Sequence, residues 1–502
     1  MRERFLRLFL CLSLRLFRGN AMGAFLPGLL LLLLAACGGV LLTKVPPLGQ
    51  LSTDPYTAAP GQHKTEVEPH MAANGSTLVA AFQTGRIYQN GGGAMNIGWA
   101  TSTDGGANWT HGFLPGIMAA DGGPYDTASD PVVAYDAKHS VWMIASLVTV
   151  NATKAETIVV SRSTDGGFTW ESPVSVDPTY VNSDKNWIVC DNWPSSPYYG
   201  NCYVEWDIDK ILISRSSDGG QTWGPGVATA NESRGIGGQL VVQPSGTVVV
   251  SIESGNMQMV AFNSTDGGSS WTAPVAIATV QNHVDAAGIR SGWFPTSAGD
   301  GAGTVWVVWP DCRFRANCSA NDLVYSTSMD GVNWGAVARV PIDATNTTVD
   351  HFIPGVGIDQ STSGAGAHVA IHFYFYEQSD CTLETCQLYV GYISSPNGGA
   401  TWSPPLTLAG PMRLGWLALS LNGYMVGDYV ATAFSGGRPL GAFAAATPNA
   451  GTSFDEATYT VSGLLVPTAG AVLSSRNDKP LHTLSERHER DDPDRGKVEP
   501  PQ

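Results

Sequence analysis

Ser163-Thr164-Asp165-Gly166-Gly167-Phe168-Thr169-Trp170 decides how the rest of this chain is read. An Asp side chain can bond backbone groups a few residues on and hold a turn. Glycine supplies the positive φ that such a turn needs. The Trp then returns to pack beneath the turn. The octapeptide reads as a hairpin lock, and its Asp as structural.

The lock recurs. Ser102-Thr103-Asp104-Gly105-Gly106 leads to Trp109, Ser216-Ser217-Asp218-Gly219-Gly220 to Trp223, and Ser264-Thr265-Asp266-Gly267-Gly268 to Trp271. Ser328-Met329-Asp330-Gly331 reaches Trp334 one residue sooner. Ser395-Pro396-Asn397-Gly398-Gly399 carries Asn for Asp before Trp402, and a faint last copy runs from Thr447 through Asn449 to Phe454. Successive Asp or Asn positions lie 61, 53, 48, 64, 67 and 52 residues apart, a spacing that suits one four-stranded propeller blade each. Carboxylates repeated at every turn cannot all belong to one active site.

Three strand-like runs, rich in β-branched and aromatic residues, precede each lock. In the second unit they are Pro131–Tyr135, Val141–Val148 and Thr157–Ser161; in the third, Trp187–Cys190, Cys202–Trp206 and Ile211–Ser214. In the fifth they are Trp293–Thr296, Thr304–Trp309 and Leu323–Tyr325, and in the seventh Tyr424–Val430, Ala431–Phe434 and Leu440–Ala446. The chain is expected to be an all-β propeller of seven four-stranded blades, with a six-bladed ring as the alternative. Closure into a ring removes exposed sheet edges.

Composition agrees. Charged residues are 14% of the 502, Gly numbers 58, and Trp, Tyr and Phe number 15, 16 and 16, which suits a turn-rich all-β protein. The net charge of −16 argues against nucleic acid as a partner. P-loop, dinucleotide and Gly-x-Ser-x-Gly motifs are absent from the sequence.

Residues 1–37 read as an export signal. Arg2, Arg4, Arg7, Arg15 and Arg18 precede an apolar run from Ala24 to Ala36, which ends in Leu34-Ala35-Ala36-Cys37-Gly38. That ending resembles a bacterial lipobox, which implies lipidation at Cys37 and attachment of the N-terminus to a membrane. Residues 38–60 are then a flexible tether, 61–470 the propeller, and 471–502 a disordered polar tail. Of the remaining cysteines, sequence proximity favours Cys190 with Cys202, Cys312 with Cys318, and Cys381 with Cys386, as suits an oxidising, extracytoplasmic compartment.

The repeats resemble the Asp-box, or BNR, repeats of sialidases and related secreted propellers, over roughly residues 60–460. The resemblance implies an Arg triad that holds a substrate carboxylate, a Tyr nucleophile helped by a Glu, and an Asp for acid–base work. Where the family carries its first Arg, this chain has Val67-Glu68-Pro69. Arg86 resembles another family Arg, Gly238-Gln239-Leu240 stands where a Glu is expected, and Glu253 comes one strand later. Tyr429 in Gly427-Asp428-Tyr429 matches the Tyr.

The first strand of each blade lines the channel. Those starts carry Glu68, Asp130, Asp184, Asp350 and Asp428, with Lys185 and His351 beside two of them, which predicts a mostly acidic ring. Candidate catalytic residues are Asp350, His351, Tyr429, Asp130 and Glu68, with Asp350-His351 as the acid–base pair. Asp207, Asp209, Asp184 and Asp191 offer oxygens of the kind Ca²⁺ takes, and a solvated acidic face explains them as well. Arg313 and Arg315 could meet an anion or pair with Asp322. Trp187, Trp206, Trp293 and Trp309 serve either as a sugar-stacking surface or as core. Two functions fit: a sialidase-like propeller that binds or hydrolyses extracellular glycans, or a non-catalytic surface module that binds a glycan or protein.

Overall fold

The computed structural model describes residues 47–461, apart from 89–91, 151–154, 180–182, 208–209 and 452. The expected leader, Cys37, the start of the tether and the tail 471–502 lie outside the described residues.

The chain is an all-β propeller. Its unit is an antiparallel meander, as in Asp184–Cys190, Cys202–Asp207, Leu212–Ser216 and Val227–Ala228. Among the described residues the separate four-stranded blades number five, not the seven or six expected. Beside them stand one sheet of eight strands and a two-stranded hairpin. The eight-stranded sheet arises because Ala94, on the third strand of the first unit, bridges Ala128 on the first strand of the second.

Inner strands begin at Glu66, Thr127, Asp184, Ile236, Thr296, Asp350 and Ala431. Each lies beside the next, and the strand at Ala431 returns to lie against the one at Glu66. Glu68 N donates to Val426 O at 2.9 Å at this closure. Gly427, at φ 141°, sits so close that an added Cβ would lie 2.6 Å from Glu68 Cα. The outermost strand of the last sheet is Gly49–Gln50, which pairs with Thr460 and Tyr459. Part of the expected tether is thus built into the ring, because the last sheet would otherwise end on an open edge.

The core lies between neighbouring sheets. Val79 and Ile97 of the first unit pack with Val133 and Ile144 of the second, and Val204 and Trp206 of the third with Val160 and Met143 of the second. Each buried Val, Leu, Ile or Phe contributes about 1.5–3 kcal/mol. Stability is therefore spread around the ring.

The Asp-box turns sit between third and fourth strands. Asp165 Oδ1 accepts from Phe168 N at 3.0 Å and Thr169 N at 2.9 Å, and Thr169 Oγ1 donates to Oδ2 at 2.6 Å. Trp170 Nε1 donates to Gly167 O at 3.1 Å. The box also clasps the preceding unit, since Thr101 Oγ1 donates to Gly167 O at 3.0 Å. Gly167 has φ 87°, and an added Cβ would lie 2.4 Å from Thr101 Oγ1. Asp165→Ala should cost about 1–2 kcal/mol, by loss of the oxygen that accepts from two backbone amides, and a urea melt reads it directly. Hydrogen bonds from Thr169, Ser163 and Phe168 outweigh desolvation and hold the Asp165 carboxyl at about 2. Its contribution is thus present above about pH 4 and lost as pH falls through about 2.

Three sequence expectations move. Asn449 closes no box: it lies between the second and third strands of its unit, and its Nδ2 donates to Gly415 O at 3.1 Å. The fifth inner strand runs over Thr296–Gly299 rather than Trp293–Thr296. The last inner strand is Ala431–Ser435, so Asp428 and Tyr429 precede it. In both cases an apolar or aromatic run just outside the strand imitates one.

Candidate functional site

Five of the seven inner strands share a defect that builds the site. Pairing slips between Val67 and His70, Ser129 and Val132, Asp184 and Asn186, Ile236 and Gln239, and Phe352 and Gly355. At these bulges Glu68, Asp130, Lys185 and Ile353 have φ of 57°, 50°, 38° and 46°, in the left-handed region. A bulge re-aims its side chain, at a cost of order 1–2 kcal/mol for a non-glycine residue there. In the first three units this gathers Glu68, Asp130 and Lys185 with Asp428 from the last.

Lys185 sits at the centre. Its Nζ lies 3.5 Å from Glu68 Oε1 and 3.7 Å from Asp130 Oδ1, and it bonds Asp428 Oδ2. Arg290 closes Asp428 from the other side, with Nε 2.7 Å from Oδ1 and a second bond to Oδ2. Gln83 donates to Glu68 and accepts from Arg86 Nη1 at 3.0 Å. Exposure of the Lys185 side chain is 9%, and that of Asp428 4%.

The charges divide unequally. Burial, and then Asp130, push the Glu68 carboxyl up to about 8, so it holds a proton at neutral pH. Burial opposes ionisation of Asp428, but Lys185 and Arg290 outweigh it and hold the carboxyl far below its usual range. For Lys185, burial is overcome by Asp130, Asp428 and Glu68, which keep the ammonium charged. The expected acidic ring is therefore corrected. With the cations Lys185 and Arg290 inside it, the cluster is a mixed-charge group rather than an acidic ring.

Tyr429 lies in the layer beneath. Its hydroxyl donates to Pro131 O at 3.0 Å, and burial, then Glu68, push its pKa well above the ordinary value. Its ring meets Trp187 edge-on at 5.4 Å, and Trp187 meets His70 at 4.8 Å. His70 accepts from Val133 N at 3.0 Å and is kept neutral by burial, at about 3. Beyond this aromatic layer a channel of about 390 Å³ follows the inner strands to Gly299 and Asp359. Gln239, Thr296, Ser297, Gln360 and Thr432 are among the uncharged polar groups that line it.

Over the charge cluster, Arg290 comes from the segment before the fifth inner strand. Arg290 N donates to Tyr424 O at 2.7 Å, which ties that segment to the hairpin Ala418–Ser420 and Gly423–Met425.

The model of the BNR repeat-like domain matches residues 76–339, more than half of the chain. The chain belongs to the BNR-repeat family. No curated relative matches it by sequence. Among solved structures, the BNR-repeat protein is similar to the intramolecular trans-sialidase of Ruminococcus gnavus, at 12% identity and TM-score 0.43, over 65% of this chain and 93% of that one. It is also similar to the leech intramolecular trans-sialidase, at 12% and 0.44, over 65% and 67%. The NanB sialidase of Streptococcus pneumoniae matches at 12% and 0.41, over 83% and 70%.

Other candidates in the BNR-repeat protein are placed as follows. Asp350 and His351 are not brought together as a pair, because neighbours on a strand face opposite ways. Asp350 accepts from Asn321 N at 2.6 Å and meets His283 Nδ1 at 3.2 Å. His351 is buried on the other face; its Nδ1 lies 3.1 Å from Asn321 O, and burial lowers its pKa. Asp191 stands beyond the far end of the strand that begins at Asp184, so the Ca²⁺ set is not brought together, and Asp209 is outside the described residues. Arg313 is paired with Asp311, and Arg315 with Asp322 and Asp343. Trp206 and Trp309 are fully buried, which settles them as core.

The disulfides are Cys190–Cys202, Cys312–Cys318 and Cys381–Cys386, which is compatible with an extracytoplasmic protein. Lys185 and Arg290 are what sequence reasoning underweighted. Pro69, Pro131 and Pro354 directly follow bulge residues of three inner strands and were the available signal.

Proposed function

We propose that this BNR-repeat protein is a non-catalytic, extracytoplasmic binding propeller whose channel takes an uncharged stretch of extracellular glycan. The observation that carries the reading is the Asp428 carboxylate held between Lys185 and Arg290. A carboxylate consumed by two cations, buried Lys185 and half-buried Arg290, is not free to serve as nucleophile or base. Tyr429, buried and bonded to Pro131, is not free either. The channel offers amides and hydroxyls beside aromatic rings, the usual partners of neutral sugars. In this reading the eight-stranded sheet counts as two blades, giving seven, and lipidation at Cys37 holds the disc at a membrane surface.

The test is binding of neutral and sialylated oligosaccharides to an array, compared with Ser361→Trp, which places an indole at the exposed channel rim. Binding of neutral glycans, weakened by the Trp, is expected. Silence on the whole array, or equal binding by the variant, would remove the channel as the site.

A second reading is glycoside hydrolysis. It is favoured by one observation: Glu68 holds a proton near neutral pH within reach of the cluster that contains ionised Asp428. A protonated and an ionised carboxyl side by side are the parts of an acid-assisted glycosidase. That mechanism requires Arg290 to leave Asp428.

A further inference from the structure

Beside the cover segment lies a second, unexplained group. His283, Asp285 and Asp350 each present a ligand atom, and these atoms lie within 4.8 Å of one another. Asp285 accepts from Ser291 and from Asn321 Nδ2 at 3.1 Å, and Asp350 from Asn321 N at 2.6 Å. These bonds orient both carboxyls toward each other without supplying a cation. His283 Nδ1 approaches Asp350 Oδ2 at 3.2 Å, and its side chain is 23% exposed, so the group is reachable from solvent.

An independent observation points to a missing ligand. Tyr376 is fully buried, and its hydroxyl has no hydrogen-bond partner. It is the direct cross-strand partner of Asp350, so both side chains leave the same face of the sheet. Leaving a buried hydroxyl unpaired costs about 1–3 kcal/mol, and two carboxyls in mutual contact add repulsion when ionised. Asp322, Asp343 and His351 make a useful contrast: Arg315 and Arg339 bond that carboxylate pair, so it needs no ion.

We propose that His283, Asp285 and Asp350 bind a divalent transition-metal ion of the zinc class, with the Tyr376 hydroxyl beneath it. One imidazole with two carboxylates matches zinc in ligand type and number, whereas Ca²⁺ takes six to eight oxygens. Asp285 and Arg290 lie on the same short segment. The ion would fasten that segment to the inner strand at Asp350 and so keep Arg290 on Asp428.

The experiment is calorimetric titration of the chelator-treated chain with zinc chloride, with a parallel thermal melt. One ion bound per chain and a higher melting temperature with zinc are expected. His283→Ala, at a partly exposed position, should weaken uptake roughly tenfold or more and remove most of the zinc-dependent rise in melting temperature. Asp350→Asn should weaken uptake further. No uptake by the wild-type chain, or equal uptake by His283→Ala, would overturn the site. Glycan binding does not enter this readout, so failure of the metal site leaves the channel reading to its own test.

Discussion

Lys185→Met is expected to lower the stability of the propeller by about 3–5 kcal/mol at pH 7. The substitution keeps most of the apolar stem and removes a charge that faces Glu68, Asp130 and Asp428 together. Arg290 still covers Asp428, but Asp130 then has no direct ionic partner among the described residues. A buried carboxylate in that position must take a proton or strain the ring closure. The loss should therefore shrink as pH falls below about 5, where carboxyls protonate at little cost. Adding Asp130→Asn should recover part of it at pH 7. Urea melts of the three proteins at pH 7 and pH 4.5 check this. A single-variant loss under about 1 kcal/mol, independent of pH, would mean that the cluster is solvated rather than sealed.

The second large effect concerns Glu205. It sits on the strand Cys202–Asp207, opposite Trp187, fully buried against Gly238, and neither carboxyl oxygen has a hydrogen-bond partner. Burial pushes it up to about 8. A raised acid keeps its proton when folded and releases it when unfolded. Its stability term is complete below about pH 4 and is lost as pH rises through about 8. Glu205→Gln removes the proton exchange and keeps the shape. Wild type should match or exceed the variant at pH 5 and fall behind by up to about 1.4 kcal/mol for each pH unit above it. Melts from pH 5 to pH 8.5 give that slope directly. Parallel curves for the two proteins would show that Glu205 is ionised and paired when folded.

How much of this was readable beforehand depends on how local the physics is. The Asp-box turns were legible because Asp165, Gly167 and Trp170 complete their chemistry within one octapeptide. Their clasp on the preceding unit was not, because Thr101 lies 66 residues from Gly167. Glu68, Asp130 and Asp428 were found at strand starts, but their charge balance was misjudged. Arg290 reaches Asp428 across 138 residues, from a loop with no pattern of its own. Asp350 and His351 looked paired in sequence, and strand alternation separates them. Tyr429 was found by resemblance, but its burial beneath the charge cluster and its bond to Pro131 O depend on residues far away in sequence.

The most direct test of the account is turnover. The full chain and Arg290→Ala are assayed against fluorogenic glycosides, a sialoside among them, from pH 4.5 to pH 8. The account predicts no hydrolysis by the wild-type chain of any substrate at any pH. Hydrolysis that is abolished by Glu68→Gln and by Asp428→Asn would contradict it, and would make the buried cluster an active site that opens.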